Sequence, residues 1–138
     1  MTASIKVAVL GGGSFGTVLA NIAASNGYEV SLWVRDSEQA LRINSEGANS
    51  TYHPELQLSS NISASEKLDD VMDGSSLVFI ATPSLIFETI MERINPMIEE
   101  GSHIISCTKG IKLNPFRSMS DIISMNIDTK KNHVGVLN

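Results

Sequence analysis

The chain has 138 residues, of which 42% are hydrophobic and 18% charged, and its formal net charge is -5. This length fits one globular domain that buries about 68% of its unfolded surface. The net charge excludes a general basic surface for nucleic acid, and no apolar run approaches the roughly 18 residues of a membrane helix. The first residues lack a signal-peptide pattern. We therefore expect a soluble, cytoplasmic domain that binds neither nucleic acid nor membrane.

Cysteine usage and metal-ligand patterns add two further limits. Cys107 is the only cysteine, so no internal disulfide can form, which suits a reducing compartment. It falls in an apolar run and is expected to be a buried small hydrophobe with an unreactive thiol. No metal-binding motif is visible, and we expect no bound metal.

A glycine-rich turn at residues 11–16 separates the apolar run 5–10 from the helix-like segment 17–26. Gly11, Gly13 and Gly16 have the G-x-G-x-x-G spacing: the first permits a tight exit from a strand, the second lets a pyrophosphate approach, and the third lets the helix pack closely. The following helix N-terminus directs N–H groups at an anion. The turn therefore predicts a dinucleotide phosphate cradle, the alternative being a glycine turn without a ligand.

Arg35 follows the predicted second strand, residues 29–34. In dinucleotide-binding units the end of this strand lies beside the adenosine ribose, where an acidic residue binds the 2′-hydroxyl and an Arg accommodates a 2′-phosphate. The planar, permanently charged guanidinium of Arg35 favours NADP over NAD. A solvated Arg35 is the alternative. Asp36 is at least as well suited to capping the next helix, residues 39–46, as to binding ribose.

The loop at residues 48–54 is rich in turn residues, and Pro54 biases His53 towards an extended conformation. Tyr52 and His53 are therefore able to approach a nucleotide from the loop side. His53 is nevertheless more simply interpreted as an exposed loop histidine, because no partner that would make it a base is visible. A short strand is predicted at residues 61–64, followed by a helix that Ser65 caps.

Residues 76–81 form an uninterrupted apolar run, typical of a strand buried on both faces of a parallel sheet. The turn that follows contains Ser84, interpreted as a helix N-cap because nothing nearby would activate it as a nucleophile. Another strand, 103–107, leads to Lys109. Ligands of parallel sheets bind at the carboxyl ends of the strands, so Lys109 either projects into the ligand crevice or is a surface lysine. Asn114 and Pro115 are expected to start a helix, and residues 134–137 form the last strand.

Strands and helices thus alternate along the whole chain, without repeats or low-complexity linkers. This order predicts an α/β domain of the Rossmann type, with a doubly wound, mostly parallel sheet and helices on both faces.

With these residues assigned, the chain resembles the N-terminal domain of bacterial glycerol-3-phosphate dehydrogenases that use NAD or NADP. The resemblance covers essentially all 138 residues, and it is carried by segments 11–20 (GGGSFGTVLA), 33–36 (WVRD), 52–54 (YHP), 82–84 (TPS), 108–110 (TKG) and 136–137 (VL). It implies that Ser14, Phe15 and Tyr52 contact the cofactor and that Arg35 contacts its adenosine phosphate end. It also implies that Lys109 contacts both cofactor and substrate.

Two positions depart from the family pattern, which usually has Ala or another small residue at Gly12 and an aliphatic residue at His53. The family also continues into a helical C-terminal domain that supplies the lysine and aspartate of the active site. We therefore expect residues 1–138 to be an NAD(P)-binding domain with no catalytic residue of its own, the catalytic residues lying beyond Asn138.

The resemblance implies an oxidoreductase that interconverts dihydroxyacetone phosphate and sn-glycerol 3-phosphate for phospholipid precursor synthesis. The complete enzyme would be a possible homodimer, and residues 1–138 alone are expected to be inactive. Two alternatives remain. One is the first domain of another reductase, such as a ketopantoate reductase or a hydroxyacyl dehydrogenase. The other is a regulatory module that senses a dinucleotide without catalysis.

Overall fold

The computed structural model describes residues 5–113 and 116–137. The strands are β1 (Lys6–Leu10), β2 (Glu29–Trp33), β3 (Ile62–Ser65), β4 (Leu77–Ile80), β5 (His103–Ser106), β6 (Ile111–Leu113), β7 (Phe116–Ser118) and β8 (His133–Val136). The α-helices are α1 (Ser14–Ser25), α2 (Ser37–Glu46), α3 (Leu68–Met72), α4 (Ser84–Ile94) and α5 (Met119–Asn126), and a 3₁₀ turn, Asn95–Met97, follows α4.

Six of the strands form one sheet in the order β3-β2-β1-β4-β5-β8, and all of its pairings are parallel. The chain runs outwards from β1 to β3 on one side and then returns to place β4 on the other side of β1. This reversal is the switch point at which open parallel sheets bind ligands. The predicted doubly wound α/β fold is therefore confirmed.

Two hydrophobic clusters hold the helices against opposite faces of the sheet. On one face, α1 and α2 pack on the inner side chains of β1 and β2, which include Val9 and Leu32. On the other face, α3, α4 and α5 pack on side chains that include Leu10, Ile80 and Ile104. Continuous apolar runs such as residues 6–10 follow from burial on both faces.

Burial of β4 and β5 is not equal on the two faces, contrary to the expectation for residues 76–81. Val78, Ile80 and Ile104 are fully buried under the helices α4 and α5, whereas Phe79 and Ile105 are half-buried. Phe79 and Ile105 are register partners and lie on the face that α1 covers over β1 and β2. Only the edge of α1 reaches β4, which leaves this part of the sheet face partly open.

Two predicted helix caps are wrong. The hydroxyl of Ser65 accepts the N–H of Lys67 within the turn, and Lys67 itself is the N-cap of α3. Ser84 is the first residue of α4, with no side-chain cap, because the preceding Pro83 is the N-cap. Helix α5 begins at Met119. The predicted helix start at Asn114 and Pro115 lies outside the described residues.

The β6-β7 pair was not predicted. These antiparallel strands of three residues each form a separate two-stranded sheet between β5 and α5. Runs this short show no periodicity that distinguishes a strand from a loop. Within the described residues, none of the helices is long and apolar enough to cross a membrane.

Candidate functional site

A cleft of about 460 Å³ lies at the carboxyl ends of β1, β2, β4 and β5. It is bordered by the glycine turn, by Arg35 after β2, by the turn after β4 and by the turn after β5. Its lining residues are Gly11, Gly12, Gly13, Trp33, Arg35, Gln39, Tyr52, Ala81, Thr82, Pro83, Ser84, Ile86, Cys107, Thr108 and Lys109. This is the position at which the topology of the sheet predicts a ligand.

The three glycines of the spacing motif have three different surroundings. Gly11 has a φ of +126°, which L side chains rarely adopt, and a Cβ there would lie 2.5 Å from the carbonyl oxygen of Ala81. A Cβ at Gly16 would collide with the carbonyl oxygen of Gly11, so α1 packs against the strand exit only because Gly16 has no side chain. A Cβ at Gly13 would have no atom within 4 Å. The turn is therefore closely packed at Gly11 and Gly16, whereas the space beside Gly13 is open.

Helix α1 begins at this opening without a side-chain cap. Its N-cap is Gly13, which offers no oxygen to the N–H groups of the first turn. Uncapped N–H groups and the positive end of the helix dipole both favour a bound anion. The open space over Gly13 and the uncapped start of α1 together make this turn suitable for a phosphate group.

Gly12 is confined by a residue from the neighbouring strand. A Cβ at Gly12 would collide with Cγ1 of Val34, which is buried directly after β2. In this chain Val34 fills the space that an alanine methyl group at position 12 would need. The lack of a side chain at Gly12 therefore allows close packing and does not serve flexibility.

A buried polar network holds the glycine turn from beneath. Nδ2 of Asn49 donates to the carbonyl oxygen of Gly12 at 2.9 Å and to Oγ1 of Thr17 at 2.8 Å, while Nε2 of Gln39 donates to Gly12 at 2.9 Å and to Oδ1 of Asn49 at 3.1 Å. Oγ1 of Thr17 donates to the carbonyl oxygen of Gly13 at 2.7 Å. Asn49 and Thr17 are 3% and 0% exposed, so these bonds are shielded from water.

Sequence patterns do not indicate this network. Gln39 lies near the start of helix α2, and Asn49 lies in a loop rich in turn residues. Their partner Gly12 is 27 and 37 residues away along the chain. Only the fold brings these residues together, and neither their spacing nor their residue type indicates it.

Arg35 and Tyr52 border the cleft on the β2 side. Arg35 is exposed directly beyond the strand end, and Tyr52 is 48% exposed in the loop that follows α2. The neighbouring Asp36 caps α2, because its Oδ1 accepts the N–H of Glu38 at 3.0 Å. The capping interpretation of Asp36 is therefore supported, and Arg35 is the charged side chain left facing the cleft at this corner.

His53 is not the exposed loop histidine expected from the sequence. It is half-buried, and its Nε2 lies 2.9 Å from the carbonyl oxygen and 3.2 Å from Oγ of Ser14. Ser14 is the exposed first residue of α1. The imidazole therefore joins the loop to the helix end beside the glycine turn.

The β5 side of the cleft contributes Cys107, Thr108 and Lys109. Oγ1 of Thr108 lies 2.6 Å from the carbonyl oxygen of Thr82 and ties the two turns together. Cys107 is half-buried, and burial raises the pKa of its thiol to about 11, so the thiol stays protonated at neutral pH. The expected unreactive thiol agrees with this shift, although Cys107 is less buried than expected.

Lys109 also borders a second cavity of about 300 Å³, which adjoins the cleft. This cavity is lined by Phe15, Ala81, Cys107, Lys109 and Leu137, of which three also line the cleft. Phe15 is 50% exposed on the first turn of α1. Lys109 is exposed and lines both the cleft and the adjoining cavity.

The structure therefore brings the sequence-predicted residues to one edge of the sheet. Gly11, Gly13, Arg35, Tyr52 and Lys109 line the cleft itself. Phe15 lines the adjoining cavity, Ser14 lies on the exposed start of α1, and Gly16 is buried under the turn. Within the described residues there is no group of three His, Cys, Asp or Glu side chains arranged to hold a metal ion.

Comparisons with known proteins agree with this architecture. Residues 6–138 match the family model described as NAD-dependent glycerol-3-phosphate dehydrogenase N-terminus. A glycerol-3-phosphate dehydrogenase [NAD(P)+] of Alcanivorax borkumensis is 42% identical over 118 residues, 86% of this chain and 34% of that protein. The enzyme of the same name from Teredinibacter turnerae is 38% identical over 137 residues, 99% of this chain and 40% of that protein.

A solved structure of Plasmodium falciparum glycerol-3-phosphate dehydrogenase superimposes with a TM-score of 0.81. It is 27% identical, and the match covers 91% of this chain and 38% of that one. The chain thus spans about a third to two-fifths of the length of the curated relatives that it matches.

Proposed function

The chain belongs to the family of NAD-dependent glycerol-3-phosphate dehydrogenases, whose N-terminal part it matches, and we propose that it binds NAD(P)(H) in the cleft described above. In this proposal residues 1–138 are the cofactor-binding domain of an oxidoreductase. The complete enzyme interconverts dihydroxyacetone phosphate and sn-glycerol 3-phosphate and so supplies a precursor of phospholipids.

The observation that carries the proposal is the glycine turn with its open space above Gly13. A dinucleotide pyrophosphate needs backbone N–H groups that it can approach closely, without a Cβ in the way. Gly13 supplies that space at the uncapped start of α1, while Gly11 and Gly16 permit the turn beneath it. The residues present therefore fit a dinucleotide.

Arg35 and Tyr52 would hold the adenosine end of the dinucleotide. Arg35 lines the cleft beyond the end of β2, and its guanidinium group would bind a 2′-phosphate there, which supports NADP over NAD in this proposal. Tyr52 offers an exposed ring beside it, and aromatic rings provide large contact areas at low entropic cost. Ser14 and Phe15 would contact the cofactor from the first turn of α1.

Lys109 would contact both cofactor and substrate, because it borders both cavities. When bound, the nicotinamide supplies hydride transfer. The ammonium group of Lys109 would stabilise the negative charge that develops on the carbonyl oxygen of dihydroxyacetone phosphate. Cys107 remains protonated and takes no part as a base, because its pKa is about 11.

The catalytic lysine and aspartate belong, in this proposal, to a helical C-terminal domain beyond Asn138. The complete enzyme would be cytoplasmic and a possible homodimer, and residues 1–138 alone would bind dinucleotide weakly without turnover. Family membership favours this function over another reductase such as a ketopantoate reductase. A dinucleotide sensor without catalysis is less suitable, because it would leave Lys109 without a role.

Titration of the chain with NADPH and with NADH tests the proposal. Removing the guanidinium group in Arg35→Ala should weaken NADPH binding by about tenfold or more, since charge-assisted hydrogen bonds are lost, and leave NADH binding nearly unchanged. Arg93→Ala, an exposed arginine in the last turn of α4, is the control for loss of charge. Failure to bind either dinucleotide would refute the proposed function. An unchanged NADPH-to-NADH ratio in Arg35→Ala would refute only the role of Arg35.

A further inference from the structure

His53 contacts the phosphate-binding end of α1, although the resemblance to the family gives this position no role. Its Nε2 lies 2.9 Å from the carbonyl oxygen of Ser14 and 3.2 Å from the hydroxyl oxygen of the same residue. Ser14 follows Gly13, the glycine that lies under the open space of the turn. Nε2 of His53 therefore contacts both oxygen atoms of Ser14, the first residue of α1.

The position of the hydrogen on this imidazole follows from the two contacts. A carbonyl oxygen can only accept a hydrogen bond, so Nε2 must carry a hydrogen to bond Ser14. The hydroxyl oxygen of Ser14, on the same side of the ring, then also accepts from Nε2. Its own hydrogen is left free to donate to a third group. The neighbouring space above Gly13 is where we place the pyrophosphate, whose oxygens are acceptors.

His53 also belongs to a turn that carries Tyr52 over the cleft. The carbonyl oxygen of Asn49 accepts the N–H groups of Tyr52 at 3.1 Å and of His53 at 2.9 Å, which closes the turn. The Asn49 side chain fastens this turn to Gly12 and Thr17 in the interior. His53 fastens it to Ser14 at the rim. Tyr52 lies between these two attachments and lines the cleft.

We propose that His53 is a positioning residue for dinucleotide binding. Its Nε2–H donates to the carbonyl and hydroxyl oxygens of Ser14. These contacts orient the serine hydroxyl to donate a hydrogen bond to the phosphate, and they hold Tyr52 over the cleft. This role rests on the proposed function. The role depends on a single N–H donor, Nε2–H of His53, next to Ser14. An aliphatic side chain of similar size fills the space beside α1 but cannot donate a hydrogen bond.

Three substitutions at this position separate hydrogen bonding from packing. His53→Leu should weaken NADPH binding by about three- to tenfold, the effect of one lost hydrogen bond, with a small change in melting temperature. His53→Gln should restore most of the affinity, because the glutamine amide nitrogen can occupy the position of Nε2. His53→Asn should not, because its amide nitrogen reaches only the position of Nδ1. His133→Leu, at an exposed position on β8, is the control for loss of an imidazole.

Nitrogen-15 NMR of the unliganded chain provides a readout that does not depend on a ligand. The His53 ring should show a hydrogen on Nε2, and this signature should be insensitive to His133→Leu. A neutral ring protonated only on Nδ1 would overturn the assignment. Equal NADPH affinity in the unsubstituted, His53→Leu and His53→Gln chains would overturn the positioning role alone. Absence of any dinucleotide binding by the unsubstituted chain would overturn both this role and the proposed function.

Discussion

Gly12 and Val34 share one small space between the glycine turn and the end of β2. A Cβ of residue 12 would lie 2.3 Å from the Cγ1 methyl group of Val34, and Val34 is buried in the core cluster beneath α1 and α2. Protein interiors are close-packed, so an added methyl group forces its neighbours to move. The residue suitable at position 12 is therefore determined by the residue at position 34.

We expect Gly12→Ala to lower the free energy of unfolding by about 1 to 3 kcal/mol, the cost of overpacking a core site. Urea denaturation measures it. The double variant Gly12→Ala/Val34→Ala should recover part of this loss, because the second change removes the colliding methyl group. If the two effects are simply additive, the collision does not account for the loss.

Gly13→Ala is the matched comparison one residue along the turn. Because no atom lies within 4 Å of a Cβ there, the cost in stability should be below about 1 kcal/mol, the effect of a poorer N-cap. NADPH affinity should nevertheless fall, since the new methyl group occupies the space assigned to the pyrophosphate. Unchanged affinity would contradict that assignment.

At the residue scale, predictability follows the sequence distance over which each role is defined. The roles of Gly11, Gly13 and Gly16 depend on a local turn between a strand and a helix, so the spacing together with the flanking strand and helix patterns predicted the turn. Asn49 and His53 act on residues 32 to 39 positions away along the chain. The sequence does not distinguish Asn49 and His53 from ordinary loop residues, because only the fold determines which residues they contact.

At the scale of elements, helix α5 depends on a capping box formed by Ser118 and Asp121. The Ser118 hydroxyl accepts the N–H of Asp121 at 3.1 Å, and the Asp121 carboxylate accepts the N–H of Ser118 at 3.0 Å. Hydrogen bonding of the Asp121 carboxylate with the backbone N–H and the side chain of Ser118 lowers the pKa of Asp121. The box sets the start of the helix that covers β5 and β8.

Ser118→Ala should lower the free energy of unfolding by about 1 kcal/mol, the usual cost of losing an N-cap, as measured by urea denaturation. Ser124→Ala, at an exposed position within α5, should be neutral or slightly stabilising, because alanine is the better helix former. Equal losses of unfolding free energy in the two variants would show that the Ser118 cap does not stabilise the helix.

The lowered pKa of Asp121 gives the cap a defined pH dependence. The folded-state pKa lies below the unfolded value, so the contribution of Asp121 is present above the unfolded pKa and is lost as the pH falls through the folded one. The stability difference between the unsubstituted and Asp121→Asn chains should therefore be largest near neutral pH and shrink in acid.

The elements that the sequence predicted well are those with long apolar runs ended by glycine or polar residues, such as β1 and β2. Helix starts were less predictable. Several polar residues compete as caps near each start, and the N-caps of α3 and α4 are Lys67 and Pro83 instead of the predicted Ser65 and Ser84. Local propensity is too weak to decide between neighbours.

At the scale of the whole molecule, the two faces of β5 have different environments. Ile104 is 0% exposed beneath α5, whereas its neighbour Ile105 is half-buried on the partly open face beyond α1. Equal side chains at adjacent positions therefore make unequal contributions to stability. The neighbouring β4 shows the same difference at Phe79, against the expectation that residues 76–81 are buried on both faces.

Ile104→Thr should lower the free energy of unfolding by about 2 kcal/mol or more, because it places a hydroxyl group in a dry core. Ile105→Thr should cost less than about 1 kcal/mol, since the hydroxyl group there can reach water. Both variants keep a β-branched side chain, so strand propensity is matched. Urea denaturation of the pair measures the difference. Equal losses would show that both faces of β5 are closed.

The central position of β1 has a consequence for how the binding turn forms. β1 pairs with β4 in the register Val7 to Leu77, about seventy residues apart along the chain, and Gly11 takes its final conformation against the carbonyl oxygen of Ala81. Pairings between such distant segments form slowly, because the loop between them must first be closed. Although all its glycines lie within the first 16 residues, the cradle cannot be completed during synthesis until residue 81 has been made and β4 has docked.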